Sequence, residues 1–304
     1  MPKERGRCAA RRRPGHAQGS YCSRRAGRSL HGQVKRGQER AGSFVRGGPD
    51  AGSLVRDTPR AGTLLELATS CQPGDLLTAA REIVERAHRR RGGYVCLCNV
   101  HLVTTALRDD GVRLALDGAW RRFADGAPIA WLQRRAGSAG ARRVGGPDLM
   151  PTVIDIGRAS RLRHYLLGST PETLARVEAT LRSRYPGVEI VGASSPPFAS
   201  EVEVSPAVLD AIRDADPEIV WCALGAPKQE LWMHQASPSL PTQLLVGVGA
   251  AFDFLAGSKP RAPLWMQHGG LEWLHRLMTE PKRLGGRYLR TNTEFVVRAV
   301  VELV

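Results

Sequence analysis

Short apolar runs alternate with longer amphipathic segments along most of the chain. Two of the runs, Ile219–Leu224 and Gln243–Val248, are each followed by a glycine and by polar groups, which is typical of neighbouring buried strands in a parallel sheet. Similar runs predict strands at Tyr94–Cys98, Arg163–Leu167 and Val188–Val191. Because helices connect the strands of such a sheet, the alternation predicts an α/β fold, with a Rossmann-like, mainly parallel sheet and helices on both faces.

Apolar residues at helical spacing predict the segments between the strands. A further helix is expected to begin between Gly225 and Glu230, where Pro227 fits the first turn because its missing N–H costs no hydrogen bond there. The other predicted helices are Asp75–Arg91, Val103–Asp109, Val112–Phe123, Ala127–Arg135, Asp148–Arg158, Pro171–Arg184 and Pro206–Ala215.

The last part of the chain has a different character. Tryptophans and cations are frequent after residue 260, and Thr293–Val304 is apolar except for three charged residues. This composition fits an element that lies on a membrane surface. It fits equally an ordinary packed helix whose charges face the solvent.

Most of the charge lies in the first fifth of the chain. The net charge is +15, and residues 1–62 contain about 15 Lys/Arg and 4 Asp/Glu, which places roughly +11 of the total there. This segment has too few apolar residues to offset chain entropy, so we expect it to be disordered. It is either a polybasic tail that contacts anionic lipid or nucleic acid, or a leader that results from an upstream start codon and has no role. The chain is thus divided into a basic tail (1–62), an α/β domain (63–257) and a C-terminal helical appendage (258–304).

The residue types that bind metals are not arranged in metal-binding patterns. The six cysteines show no disulfide framework and no CxxC pair, so we expect buried free thiols and no zinc site. The histidines form no HxxxH or HExxH pattern, and no metal is assigned.

Two familiar motifs are set aside. Gly247-Val-Gly-Ala-Ala-Phe252 lacks the third glycine of a dinucleotide-binding loop, which argues against a nicotinamide enzyme. Asp214-Ala-Asp216 has the spacing of a metal–nucleotide motif but precedes a strand, at the edge of the sheet opposite the ligand crevice, so we interpret it as a helix-ending turn. No apolar run is long enough for a membrane span, and no hydrophobic region follows the basic N-terminus, so we predict no signal peptide.

Polar groups follow the strands at the edge where such sheets bind ligands. Lys228 and Gln229 lie near the electropositive N-terminus of a predicted helix, which suits a phosphate, and Asp253 follows the next strand. Asp125 does not follow a predicted strand: it lies in an Asp-Gly turn after a predicted helix and is either a general base or simply a turn residue. Arg143 either binds a phosphate or carboxylate group through two parallel hydrogen bonds or is an ordinary surface arginine. The sequence therefore predicts a nucleotide site at this edge.

Several longer motifs follow one another from residue 124 to residue 283. They are Ala124-Asp-Gly-Ala-Pro128, Arg143-Val-Gly-Gly-Pro-Asp148, Gly225-Ala-Pro-Lys-Gln-Glu230, Gly247-Val-Gly-Ala-Ala-Phe-Asp-Phe-Leu-Ala-Gly257, Arg261-Ala-Pro-Leu-Trp-Met-Gln267 and Gly270-Leu-Glu-Trp-Leu-His-Arg276 with Glu280-Pro-Lys-Arg283. In this order they resemble the WecG/TagA/CpsF glycosyltransferases, which form glycosyltransferase family 26. The resemblance runs from about residue 64 to the C-terminus and leaves out the basic tail.

The resemblance implies an inverting, metal-independent transferase without a cofactor. Such enzymes move a sugar, typically N-acetylmannosamine or a related hexose or uronic acid, from a UDP-sugar donor to a sugar on polyprenyl diphosphate. They act in the cytoplasm, peripherally attached to the inner face of the cell membrane, in making teichoic acid, enterobacterial common antigen or exopolysaccharide. The expected partners are therefore the UDP-sugar, the polyprenyl-diphosphate-linked acceptor and the membrane surface, with no specific nucleic acid.

The resemblance also implies roles for individual residues. Asp125 matches the carboxylate proposed as the catalytic base, Arg143 and Gln229 match polar groups of the donor–acceptor pocket, and Asp253 falls on the nucleotide side. The arginines of the appendage match a segment that closes over the site and holds diphosphate. The substrate-binding candidates are Asn99, Arg143, Lys228, Gln229, Asp253, Arg276, Arg283 and Arg287.

The sequence departs from the family's pattern at the poorly matched first strand, around Leu64–Cys71, and at two further places. Asn99 is preceded by Leu97 and Cys98, where the family commonly has Thr-Pro-Asn, so a hydroxyl is missing there. Gly285-Gly286 stands where bulkier or basic residues are usual.

Two other hypotheses remain at the level of the sequence. A basic nucleic-acid-binding protein that acts through its Arg-rich arm predicts salt-sensitive binding that is lost when residues 1–60 are deleted. A soluble enzyme that modifies nucleotide sugars predicts turnover of the donor without any lipid acceptor.

Overall fold

The structure is a computed structural model that describes residues 62–197 and 202–303, without the side chains of His268, Arg283 and Arg287. The tail predicted to be disordered, residues 1–62, lies outside the described residues except for Gly62, and its disorder stays a prediction.

The described residues contain one six-stranded sheet in which every pairing is parallel. Its strands are β1 (Gly93–Cys98), β2 (Arg121–Ala124), β3 (Arg163–Gly168), β4 (Glu189–Ser194), β5 (Ile219–Ala223) and β6 (Leu244–Gly247). Their order across the sheet is β2-β1-β6-β5-β3-β4. The predicted Rossmann-like α/β fold with a mainly parallel sheet is confirmed.

Helices connect the strands and follow the sheet at the C-terminus. They are α1 (Leu64–Thr69), α2 (Leu76–His88), α3 (Val100–Ala106), α4 (Asp110–Asp117), α5 (Ala127–Arg135), α6 (Gly146–Gly157), α7 (Pro171–Arg184), α8 (Pro206–Ala215), α9 (Lys228–Ala236), α10 (Ala251–Leu255), α11 (Leu264–His268), α12 (Glu272–Thr279) and α13 (Pro281–Leu303). Side chains cap several of them: Asp75, for example, accepts a hydrogen bond from the N–H of Thr78 at 2.8 Å.

The sheet is covered by apolar side chains on both faces. Along β5, Val220 and Cys222 belong to one buried cluster, while Ile219 and Trp221 belong to the other, as the period of two along a strand requires. The described cysteines, Cys71, Cys96, Cys98 and Cys222, are free and buried, as predicted.

One predicted helix is wrong. The segment Val112–Phe123 is divided between α4, which ends at Asp117, and the short strand β2. Phe123 pairs with Leu97 of β1 and is buried in the sheet, so tertiary packing overrides the helical spacing. Asp125 therefore follows a strand, and its N–H donates to the carbonyl of Cys98 at 2.9 Å. This places Asp125 at the carboxyl edge of the sheet.

The C-terminal helix packs onto the α/β domain. α13 has 23 residues and begins at Pro281, earlier than the predicted segment Thr293–Val304. Phe295 and Ala299 are buried in the same apolar cluster as residues of α1 and α3. Glu302 accepts hydrogen bonds from two N–H groups of the first turn of α1, at 3.0 and 2.7 Å. Within the described residues, no helix combines the length and the hydropathy needed to cross a membrane.

The amino edge of the sheet carries a cluster of ion pairs. Asp216 ends α8 in a left-handed conformation with φ 44°, and it pairs with Arg90 at 2.7 Å and with Arg163 at 2.6 Å. Hydrogen bonds from these two arginines lower the pKa of Asp216 to about 2. The interpretation of Asp214-Ala-Asp216 as a helix-ending turn is confirmed.

Candidate active site

A cavity of about 1110 Å³ opens at the carboxyl edge of the sheet, between the strand ends and the C-terminal helices. Its wall is built from segments that follow all six strands, together with α12 and α13. The predicted site residues that line it are Asn99, Asp125, Arg143, Lys228, Gln229, Asp253 and Arg276. The side chains of Arg283 and Arg287 lie outside the described part of the structure. Seven of the nine predicted site residues therefore share one cavity.

Asp125 has an unusual environment for a carboxylate. Its side chain is 27% exposed at the cavity wall, and burial among protein atoms raises its pKa to about 6. Glu272 and Asp148 contribute to the rise, whereas Arg143 and Arg276 oppose it. A carboxylate with a pKa close to neutral is a better general base than an ordinary one and remains ionised at pH 7.

Arg143 lies at the centre of a network of charges. Its Nη2 donates to Oε2 of Glu272 at 2.5 Å, while its Nε lies 3.8 Å from Oδ1 of Asp125 and its Nη1 lies 3.9 Å from Oδ2 of Asp148. Arg261 joins the same carboxylates, at 2.6 Å from Asp148 and 3.6 Å from Glu272. Arg143 is therefore not an isolated surface arginine: its side chain is 22% exposed and contacts or approaches three carboxylates.

Gln229 links two loops of the cavity floor. It is 3% exposed, its Oε1 accepts from the N–H of Gly249 at 3.1 Å, and its Nε2 donates to Glu230 at 2.8 Å. A Cβ on Gly247 would lie 2.9 Å from Nε2 of Gln229, so only glycine fits there without displacing this side chain. Gln229 thus connects the loop after β5 to the loop after β6 and fixes their separation.

The remaining lining candidates are held by local contacts. Asn99 caps α3 by accepting from the N–H of Leu102 at 3.0 Å. Asp253 pairs with Lys259 at 2.7 Å, so its charge is partly balanced. Lys228 is the first residue of α9, whose N-terminus faces the cavity floor.

Arg276 lies one helical turn after Glu272 on α12. Its guanidinium carbon is 6.0 Å from the centre of the Phe254 ring, a cation–π contact at the outer limit of the range. Since Arg276 also lowers the pKa of Asp125, its charge acts on the part of the cavity that Asp125 lines.

The amino-acid sequence matches the glycosyl transferase WecG/TagA/CpsF family over residues 67–304, which is most of the chain. The chain belongs to this family. Membership makes it a glycosyltransferase of cell-surface polysaccharide synthesis, which in general uses a sugar-nucleotide donor and a lipid-linked acceptor.

Four charged residues of this WecG/TagA/CpsF glycosyltransferase had no role assigned from the sequence. Glu230, Asp148, Arg261 and Glu272 all lie within the motifs that carry the resemblance, which was a signal that they belong near the site. Three of them have partners that are distant in sequence: Arg143 and Glu272, for example, are 129 positions apart. Only the fold shows that Asp148, Arg261 and Glu272 form one network with Arg143.

No group of three or more His, Cys, Asp or Glu side chains within the described residues is placed to hold a metal ion. The positively charged side chains in the described cavity wall that can oppose a negative substrate include Arg143, Lys228 and Arg276.

Glu230, which accepts a hydrogen bond from Gln229 of the cavity floor, can be tested through its effect on protein stability. It is fully buried, its Oε2 has no hydrogen-bond partner among the described residues, and burial raises its pKa to about 7. At pH values between the ordinary glutamate pKa and about 7, Glu230 therefore takes up a proton when the protein folds. The contribution of this group to the free energy of unfolding falls as the pH rises through that range and is lost above it.

We therefore expect Glu230→Gln to flatten the dependence of Tm on pH between 5 and 8. The expected change in Tm is several degrees. Each pKa unit corresponds to about 1.4 kcal/mol of stability, and a loss of 1 kcal/mol lowers the Tm of a domain of this size by about 2–4 °C. Thermal unfolding followed by circular dichroism measures it. Glu178→Gln, which alters the exposed pair with Arg182, is the control. Equal slopes for wild type and Glu230→Gln would show that Glu230 is ionised in the folded protein.

Proposed function

We propose that this protein is an inverting, metal-independent glycosyltransferase. It moves a sugar of the N-acetylmannosamine type, a hexose or a uronic acid from a UDP-sugar to a polyprenyl-diphosphate-linked sugar. The observation that carries the proposal is the position of Asp125, a carboxylate of raised pKa that shares one cavity with Arg143, Gln229 and Arg276. These are the residues for which the family motifs imply catalysis and substrate binding.

The proposed step is a single displacement at the anomeric carbon of the donor sugar. Asp125 accepts the proton of the acceptor hydroxyl while the oxygen forms a bond to the anomeric carbon. The bond from that carbon to the UDP oxygen breaks, and UDP leaves with the electron pair. The attack from the opposite side inverts the configuration, and the proton stays on Asp125 until it passes to solvent.

The leaving UDP gains negative charge, which the protein must stabilise. Arg276 and the N-terminus of α9 with Lys228 lie on the cavity wall, and fixed cations and helix N-termini lower the energy of a developing anion. Asp253 contacts the nucleotide, and Asn99 the sugars, in this proposal. Arg283 and Arg287, on the first turns of α13, complete the set that binds diphosphate. The chemistry requires no cofactor.

We propose that the lipid acceptor enters the cavity on the side formed by the C-terminal helices. Trp273 and Val296 line the cavity and are also exposed to solvent. Other large apolar side chains on these helices are exposed: Leu264, Trp265, Met278, Leu289, Val297, Val300 and Val301. Exposed apolar surface of this extent marks an interaction site, and tryptophans favour the membrane interface. We propose peripheral attachment to the inner face of the cytoplasmic membrane through this surface.

A panel of UDP-sugars with short-chain polyprenyl-diphosphate glycosides tests the proposal. We expect one donor to give a labelled lipid product, in an amount unchanged by EDTA. Transfer that EDTA abolishes and Mg²⁺ or Mn²⁺ restores would contradict metal independence. Absence of lipid product with every UDP-sugar, alongside transfer from another nucleotide sugar, would contradict the choice of donor.

A further inference from the structure

We propose that Glu272 is a positioning residue that holds Arg143 away from Asp125, so that the base stays available to the acceptor hydroxyl. This inference rests on the proposed role of Asp125 as the base. The C-terminal appendage then contributes to the reaction through the carboxylate of Glu272, in addition to the proposed contacts of its arginines with diphosphate.

The distances around Arg143 show which carboxylate binds it. Its Nη2 lies 2.5 Å from Glu272, whereas its contacts to Asp125 and Asp148 are 3.8 and 3.9 Å. Direct guanidinium–carboxylate hydrogen bonds are about 2.7–2.9 Å long, so Arg143 bonds to Glu272 and only approaches Asp125. A direct pair between Arg143 and Asp125 would occupy the oxygens that must accept the proton.

Glu272 is itself fixed in place by the surrounding chain. Arg261 lies 3.6 Å from its Oε1, and its place in the first turn of α12 favours a negative charge. Gly270, two residues earlier, has φ +71°, and a Cβ there would lie 2.6 Å from Cβ of Ala127. The segment that carries Glu272 is therefore packed directly against the turn that follows Asp125.

Removing the charge of Glu272 is expected to act on Asp125 in two ways. Glu272 raises the pKa of Asp125 directly through charge repulsion, and that effect disappears. In addition, Arg143 loses its strongest partner and is free to pair with Asp125. The other charged groups around Asp125 are Asp148 on α6, which also repels it, and Arg276 on α12, which attracts it. Both effects of the change lower the pKa of Asp125 and make it a weaker base.

The test is the pH profile of sugar transfer by full-length Glu272→Gln. We expect the acidic limb of kcat/KM, which reports the free base, to move down by about one pH unit or more, and the plateau to fall roughly tenfold. Glu272→Asp, which keeps the charge on a shorter side chain, is expected to restore part of both. A merely structural role would lower the plateau and leave the position of the limb unchanged.

Glu294→Gln is the matched control. Glu294 is a carboxylate of the same C-terminal region, 12% exposed against 13% for Glu272, and it pairs with Arg298 at 3.0 Å. It does not line the cavity, so its neutralisation is expected to leave the limb where it is in the wild type.

The results that overturn the inference are distinct from those that overturn the proposed function. An acidic limb in Glu272→Gln at the wild-type position, or at higher pH, overturns the role of Glu272 while transfer by the wild type stands. A wild type without transfer overturns both. If Glu272→Gln does not fold, Glu272→Asp decides: a smaller downward shift of its limb supports the inference, and an unshifted limb overturns it.

Discussion

Asp125→Asn is expected to reduce sugar transfer by roughly 10²–10⁴-fold, the range for loss of a general base. The amide has nearly the same shape but cannot take the proton of the acceptor hydroxyl. The carboxylate makes no contact with Arg143 shorter than 3.8 Å, so the fold and the affinity for the donor should change little. Initial rates with the lipid acceptor, together with donor binding by calorimetry, measure the two effects separately.

Asp210→Asn is a suitable control, since Asp210 pairs with Arg213 on the exposed side of α8. It is expected to transfer sugar at the wild-type rate. Retention of more than a tenth of the wild-type rate by Asp125→Asn would exclude Asp125 as the base, whatever its pKa.

Arg143→Ala is the change with the second-largest expected effect, a loss of roughly 10²–10³-fold in kcat/KM, comparable to removal of one charge-stabilising donor. Three carboxylates then share the site without their central cation. Because Arg143 is 22% exposed, solvent screens part of this repulsion, and we expect a loss in stability of about 1–3 kcal/mol rather than the full cost of a buried charge.

The pH profile of Arg143→Ala should move in the direction opposite to that of Glu272→Gln. Arg143 lowers the pKa of Asp125, so its removal raises that pKa above about 6 and shifts the acidic limb to higher pH. Arg142→Ala, at the neighbouring exposed position, serves as the control for both activity and Tm. A limb that stays in place, or moves to lower pH, would mean that Arg143 does not act on the base.

The sequence predicted the sheet well because its central strands are buried on both faces. Ile219–Leu224 and Gln243–Val248 are continuous apolar runs, and such runs remain readable without a structure. Strand β2 was missed for the opposite reason: of its four residues only Phe123 and Ala124 are buried. Two buried residues are too few to predict a strand when the preceding segment has apolar residues at helical spacing.

Seven of the predicted residues line the cavity, but the electrostatics of the candidate site were not predicted. Gln229 and Asp253 follow predicted strands, so their meeting at one edge of the sheet followed from topology alone. Asp125 follows β2, which was missed, so only the family motif linked it to the site. The raised pKa of Asp125 depends on burial and on Glu272, which comes from the C-terminal helices. Likewise, nothing in the sequence around Glu230 indicates an unusual carboxylate, because its pKa is raised by its complete burial in the fold. Such pairings arise from contacts between distant segments, which local patterns do not encode.

The most direct measurement is the release of UDP with and without the lipid acceptor, combined with determination of the anomeric configuration of the product. We predict that wild-type protein releases UDP only when the polyprenyl-diphosphate-linked sugar is present, and that the new glycosidic bond is inverted relative to the UDP-sugar. Release of UDP at the same rate without the acceptor, or a product with retained configuration, would contradict it.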